Sequence, residues 1–410
     1  MKKFVSVSLA DLSQDIAGQV PVDLVQNWVE SEATEEQAAN ILGGYKIRGT
    51  LVSSDTSGLS KLSTEKDLLE VLKIVSDPKE IVYGIGRAIG GRGTGKWVAD
   101  NTQMFFPETI ALPKIVNAIF EVNKRIENEC EVKLGFCIHY GEFLNIGNGF
   151  YGEQADFMEE IAENHADGGE ILITETVANS IEKHDGFEII EKKLQIEPPE
   201  KVFILKAAKG MDKIEITERD YPIYFDQNFF NRLKRLGDSE NVRDEIYRDY
   251  SKNKVVVLIQ KKSNVEESGF IGLLDLLLEN TVFSAILKKL NKKFGALEIK
   301  IAGSFAIFAF EINEIEKSIE FAKKAREELE KDFLKSISGI DAGEVLLFPL
   351  EDGTWDIAGG AVNVASKQAQ DIGEPGYIYV TAKTVGDLKI PGSTPYRKEI
   401  SRIVLEGLRF

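Results

Sequence analysis

Cysteine is nearly absent from this chain of 410 residues, with Cys130 and Cys137 the only two. That excludes a disulfide framework and a Cys-rich zinc site. It leaves both thiols as ordinary buried side chains and makes a reducing cytoplasm the expected compartment. Long apolar runs are lacking too: no stretch reads as the roughly 20 apolar residues that span a bilayer. The opening MKKFVSVSLADLSQDIAG carries two lysines, but its short apolar run is broken by Asp11 and Asp15, unlike a signal peptide. Basic residues fall short of acidic ones, 50 against 67. The net charge of −17 argues against nonspecific binding to nucleic acid or anionic lipid, because the phosphate-driven attraction needs Lys and Arg. A phosphate-binding loop of the form GxxxxGK(S/T) is missing as well.

What is present is a repeat. Hydrophobic residues make up 43% of the chain, enough for two cores in domains of roughly 150–200 residues each. Four pairs of segments align in the same order along the sequence. KWVADNTQMFF (96–106) matches KIAGSFAIFAF (300–310), setting Asp100 opposite Ser304 at an offset of 204. LGFCIHYGEFL (134–144) matches ISGIDAGEVLL (337–347), with Gly141 opposite Gly343 at an offset of 202. The segment 150–174 matches 357–381 and holds the last two pairs, Asp156 opposite Asn363 and Gly169 opposite Gly376, both at 207. Preserved order with small drift means a duplicated domain rather than one recurring motif.

Within each copy, β-rich and helical runs alternate. The first reads as a strand at GTLVSSD, helices at 64–76 and 79–88, a strand at 96–106, a helix at 112–128, a strand at 134–140, a helix at 154–166 and a strand at EILIT. The second reads as VVVLI, helix 270–292, strand 298–310, helix 313–334, strand 337–347, helix 361–372 and YIYVT. The expected fold class is therefore α+β, two ferredoxin-like (βαββαβ) domains with helices on one face of each sheet. Four segments are expected: an N-terminal extension at 1–44 with a helix over 22–42, a first domain at 45–210, a partly helical connector at 211–253, and a second domain at 254–410.

Asp55 leaves a strand end just before Thr56-Ser57-Gly58, and Asp100 sits in a tight turn between apolar strands. Carboxylates at adjacent strand ends form the oxygen-rich cradle that Mg²⁺ or Mn²⁺ prefers, with positions left for phosphate and water. Asp is also a common turn former, so spacing alone leaves both readings open. By itself Lys300 more often reads as a solvated side chain, and Asn363 and Lys367, four apart on a helix, are open to reading as surface residues.

With these residues in place, the chain resembles the class III adenylate and guanylate cyclases over about 47–210 and 253–410. The motifs that carry the resemblance are VSSDTSGLSKLS (52–63), KWVADNTQMFF, IKIAGSFAIFAF (299–310), GIDAGEV (339–345), WDIAGGAVNVASK (355–367) and EPGYIYVT. The resemblance implies that Asp55 and Asp100 bind two divalent ions, Mg²⁺ or Mn²⁺, with the Thr56 carbonyl as a further ligand. It implies that Lys300 and Asp356 read adenine, Asn363 orients the ribose, and Lys367 takes the place of the Arg that meets charge on the α-phosphate. Guanine would call instead for a Glu and a small polar residue.

The two copies differ in a complementary way. The second has no acid between Lys254 and Val265 and has Ser304 in place of Asp100. The first has Asp156 and Glu160 where the second has Asn363 and Lys367, and acids there repel phosphate. By resemblance to the paired halves of mammalian soluble and membrane adenylate cyclases, the domains are expected to pair as a pseudo-twofold intramolecular dimer in a monomer. One composite ATP site is expected, along with a degenerate second pocket open to a regulator. Near the C-terminus, Glu406 stands where the family carries a triphosphate-binding Lys, with Arg397, Lys398 and Arg402 as neighbouring cations. The expected activity is conversion of ATP to 3′,5′-cyclic AMP and pyrophosphate, without nucleic acid or a membrane segment. The alternatives are a non-catalytic nucleotide- or partner-binding relative, or a cyclase acting on another base.

Overall fold

The computed structural model describes residues 20–59, 62, 65–94, 97, 101–147, 149–181, 186–194, 200–207, 214, 225–237, 240–263, 265, 269–400 and 403–410. The chain divides into two compact units. One holds residues 42–224 and 230–238; the other holds the described residues up to 41, then 225–229 and the chain from 239 on.

Among the described residues, two short helices come first, α1 (Val22–Glu30) and α2 (Glu35–Gly43). A single helix over 22–42 is not what forms. The Ser31 hydroxyl takes up the Trp28 carbonyl, and Ala33 adopts a left-handed φ of 55°, which ends the first helix.

The first sheet is built from β1 (Lys46–Thr56), α3 (Leu68–Ala88), β2 (Arg92–Gly93), β3 (Thr102–Pro107), α4 (Leu112–Glu129) and β4 (Leu134–Ile146). Its strands run β2-β3-β1-β4, and β1 is antiparallel to both neighbours. This is the βαββαβ ferredoxin-like core. It is extended by β5 (Gly149–Tyr151), α5 (Glu153–Asn164), β6 (Ile171–Thr174), α6 (Glu175–Ile181), β7 (Phe187–Lys192) and β8 (Val202–Ala207). Helix α3 is continuous through Pro78, where a break was expected; the ring is buried in the core, and packing on both sides outweighs one lost hydrogen bond. Helices do not keep to one face. Val52, Phe106 and Phe136 pack with α3 and α4, while Leu51, Phe105 and Cys137 point the other way onto Met158 and Ile161 of α5.

Helices α7 (Gln227–Lys234) and α8 (Glu240–Tyr250) precede the second sheet. It consists of β9 (Ser251–Lys262), α9 (Gly269–Phe294), β10 (Leu297–Ala302), β11 (Phe305–Glu311), α10 (Ile315–Lys331), β12 (Lys335–Pro349), β13 (Trp355–Ala358) and α11 (Gly360–Ser366). A π-helical turn, Lys367–Asp371, continues α11. Strand β14 (Ile378–Thr381), α12 (Ala382–Val385), β15 (Thr394–Ile400) and β16 (Ile403–Arg409) complete the unit. The order β10-β11-β9-β12-β14-β16-β15 repeats β2-β3-β1-β4-β6-β8-β7 strand for strand. The run 298–310 is a two-strand hairpin around Gly303 and Ser304 rather than one strand, with Gly303 supplying the positive φ.

The repeat reaches further than the two sheets. Helices α1 and α2 return as α7 and α8 about 205 residues later, half the chain length. Buried Leu24, Val25 and Trp28 correspond to buried Phe229, Phe230 and Leu233. What read as an extension and a connector is the same helical pair twice.

Helix α9 corrects the expectation that no segment is long and apolar enough to cross a membrane: its 26 residues pass that test, and 61% of the apolar window is buried. It serves as a core helix, covered by α1, whose Trp28 Nε1 donates to Asp275 Oδ1 at 2.8 Å, and by α10.

Candidate functional site

In the first unit, Asp55 is half-buried near the end of β1, opposite Gly135 of β4. Thr56 behind it is buried, the Ser57 amide is tied to the Lys133 carbonyl at 3.0 Å, and Gly58 at φ 81° turns the chain away. The Asp55 carboxylate and Thr56 carbonyl are hard oxygen donors, the chemistry that suits Mg²⁺ or Mn²⁺. Asp100, the second acid expected here, lies outside the described residues. Among the described residues, no three His, Cys, Asp or Glu side chains cluster to hold a metal. A shallow cavity of about 420 Å³ opens beside this strand end, lined by Ser57, Gly58, Leu62, Lys133 and Asp167 among others.

The same strand end in the second unit is chemically neutral. Aligning the sheet registers sets Gln260 at the position of Asp55 and Ala306 at that of Thr102, and the sequence repeat pairs Ser304 with Asp100. Gln260 Nε2 donates to Ser304 Oγ at 2.9 Å. On the opposite strand face, Lys261 is fully buried and paired with Glu279 at 2.8 Å; burial pushes its ammonium down, and Glu279 opposes that.

The four expected nucleotide-reading residues lie on three adjoining elements of the second unit. A bulge between Glu298 and Lys300 in β10 re-aims Lys300, whose ammonium lies 5.6 Å from the centre of the Phe305 ring. β13 packs against β10 and carries Asp356, whose Oδ1 accepts from the Ile357 amide at 2.8 Å. Gly359, at φ 142°, makes the turn into α11; a Cβ there would come within 3.1 Å of the Glu344 carbonyl. Asn363 is exposed on α11, and one turn later Lys367 opens the π-turn, 3.7 Å from Asp371.

In the first unit, the face of α5 equivalent to α11 is acidic. Burial, reinforced by Glu153, pushes the Asp156 carboxyl up; burial, then Asp156 and Glu163, does the same for Glu159. Glu160 lies 3.6 Å from His165. At the far end of the second sheet, Glu406 pairs with Arg397 at 3.4 Å and Lys398 reaches Glu374 at 3.9 Å, while Arg402 lies outside the described residues.

Two features here escaped the sequence reading. Under β4, His139 Nδ1 lies 2.9 Å from Thr174 Oγ1 and 2.8 Å from Glu200 Oε1. Burial works to raise the Glu200 carboxyl, but hydrogen bonds from His139 and Thr176 outweigh it and hold it below its ordinary value. The corresponding place in the second unit has an acid on the strand instead: buried Asp341 accepts from Thr381 and Thr384 and meets Lys383 at 2.7 Å. The other feature is Gln368, fully buried where the first repeat has Ile161, its Nε2 2.6 Å from Tyr396 Oη. A polar residue at an apolar repeat position was the signal in the sequence.

No protein-family profile and no curated protein matches the chain. Solved structures do. It is similar to the adenylyl cyclase CyaB from P. aeruginosa at 15% identity and TM-score 0.36, covering 41% of this chain and 98% of that one. A class III adenylyl cyclase-like ATP-binding protein from Pseudomonas aeruginosa matches at 11% identity and TM-score 0.49, over 83% of this chain and 84% of that one. The guanylate cyclase domain of RhGC from Catenaria anguillulae in complex with GTP matches at 14% and TM-score 0.35, over 40% and 99%. The likeness to class III adenylyl and guanylyl cyclases is one of fold.

Proposed function

We propose that the chain converts ATP to 3′,5′-cyclic AMP and pyrophosphate, the first repeat holding the metal ions and the second reading the nucleotide. The observation that carries this is the Gln260–Ser304 contact. The positions equivalent to Asp55 and Asp100 touch side chain to side chain, which is the juxtaposition two carboxylates need to share a cation. Asp55, Asp100 and the Thr56 carbonyl would hold Mg²⁺ or Mn²⁺, which when bound neutralises the triphosphate and acidifies the 3′-hydroxyl.

The remaining work falls to the second repeat. Lys300 and Asp356 are the cation and acid that address the ring nitrogen and exocyclic amine of adenine. The Asn363 amide hydrogen-bonds the ribose and fixes the 3′-oxygen in line with the α-phosphorus. As the new O–P bond forms and pyrophosphate leaves, Lys367 meets the charge that builds on the phosphoryl oxygens. Glu153, Asp156 and Glu160 on α5 give the first repeat no such cation.

The test is purified full-length chain with Mn²⁺ and each of ATP, GTP, CTP and UTP. Cyclic AMP is expected from ATP alone, lost in Asp55→Ala and in Asn363→Ala. Product from another nucleotide overturns the adenine assignment, and no product from any of them overturns the enzyme. A second reading is favoured by one observation: Asp371 lies 3.7 Å from Lys367 and competes with a phosphate for it. A non-catalytic nucleotide-binding protein would gain thermal stability with Mn²⁺ and ATP and form no product.

A further inference from the structure

We infer that the π-turn Lys367–Asp371 is a positioning device for Lys367, with Gln368 and Tyr396 as the residues that hold it. The inference rests on the role proposed for Lys367.

The two repeats supply the comparison. Helix α5 runs its 12 residues as regular α-helix, whereas the equivalent 12 residues of the second repeat run seven as α11 and five as the π-turn. The Ile372 amide reaches back to the Lys367 carbonyl at 3.1 Å, the wide i to i+5 closure of a π-turn. A π-turn gives up good hydrogen-bond geometry and persists where surrounding contacts impose it.

Those contacts come from three sides. Beneath the turn, Gly339 of β12 lets the helix backbone come down onto the strand: a Cβ there would lie 2.0 Å from the Ala365 carbonyl oxygen. Behind it, a Cβ on Gly373 would lie 2.4 Å from Ile337 and 2.5 Å from the Gln368 carbonyl oxygen. From the side, Gln368 projects into the core and donates to the Tyr396 hydroxyl, while its Oε1 is buried with no hydrogen-bond partner.

That arrangement is expensive for a residue that only fills space. A buried amide with one oxygen unmatched costs free energy that Ile161 avoids at the same place in the first repeat. What the amide adds is direction. It fixes the rotation of the turn at the residue after Lys367 and thereby where the Lys367 side chain leaves the helix. Lys367 is a flexible point charge without the planar fork of an arginine, so it depends more on how its backbone is held.

The experiment is a double-mutant cycle on the full chain, with Tyr396→Phe and Lys367→Ala singly and together. Tyr396→Phe is expected to lower kcat about tenfold with KM within about twofold, the pattern of a misplaced transition-state contact. In the Lys367→Ala background it is expected to cost nothing more. Gln368→Leu, which keeps the volume, is expected to repeat the result and to speed hydrogen exchange of the Ile372 amide. An unchanged kcat in Tyr396→Phe, or an equal further loss in the Lys367→Ala background, overturns the positioning role. If the wild-type chain forms no cyclic nucleotide, the functional reading falls separately. The same cycle is then read on the affinity for Mn²⁺ and ATP, where non-additivity supports the role of the turn and additivity overturns it.

Discussion

The helix after the long central strand takes a different form in each repeat. In the first, Cys137 of β4 meets Met158 of α5 sulfur to sulfur at 3.5 Å; in the second, the same positions are Gly339 and Ala365. Bulky side chains hold α5 off its strand as a regular helix, and small ones let α11 settle until its last residues widen into a π-turn. The strand end beside it differs in the opposite sense, with Asp55 in one repeat and the neutral Gln260–Ser304 pair in the other. Duplication kept the frame in both, strand for strand. Divergence reached the strand end, the helix beside it and buried positions such as Thr56 and Lys261.

The largest break in this comparison should come at Lys261, which stands where the first repeat has the small, uncharged Thr56. Glu279→Ala leaves that ammonium buried and unpaired and is expected to cost about 3–5 kcal/mol in urea unfolding. Next, Gly339→Cys gives the second repeat the side chain of the first. It should force α11 off β12 at about 1–3 kcal/mol, with the π-turn amides losing their hydrogen-exchange protection. Removing the competing carboxylate in Asp371→Asn should tighten Mn²⁺–ATP binding about twofold by calorimetry, the scale of a half-exposed ion pair.

The smallest effect sharpens the comparison through pH. Because the Glu200 carboxyl titrates below its ordinary value of 4.5, its contribution is present above that pH and lost as pH falls through the lowered value. Glu200→Gln should therefore flatten the acid side of the melting-temperature profile and leave its neutral side with a uniform offset.

Much of this was legible in the sequence. The duplication, the alternation of elements and the placement of Asp55 near a strand end and Asn363 on a helix follow from period and motif, whereas the short strand that carries Asp356 and the bulge before Lys300 do not. Other features were not. Pro78 reads as a breaker, but a buried ring in a packed helix does not break it. The α1–α2 and α7–α8 pairs share almost no residue identity, because only their burial pattern is kept: Leu24 and Phe229 do the same work with different side chains. The π-turn has no local signature at all; it arises from Gly339, Gly373 and Tyr396, which lie on other segments.

The docking of α1 on α9 sets an order of events during synthesis. Trp28 and Asp275 are 247 residues apart in sequence. At ribosomal rates of about 5–20 residues per second, α1 emerges roughly 12–50 seconds before its partner exists. Throughout that interval Leu24, Val25 and Trp28 form an apolar stripe with nothing to cover it, and closing so long a loop is among the slowest contacts the chain can make. The first sheet can close on itself early, but α1 must wait for the second half of the chain. In this molecule α1 is made well before the surface that buries it.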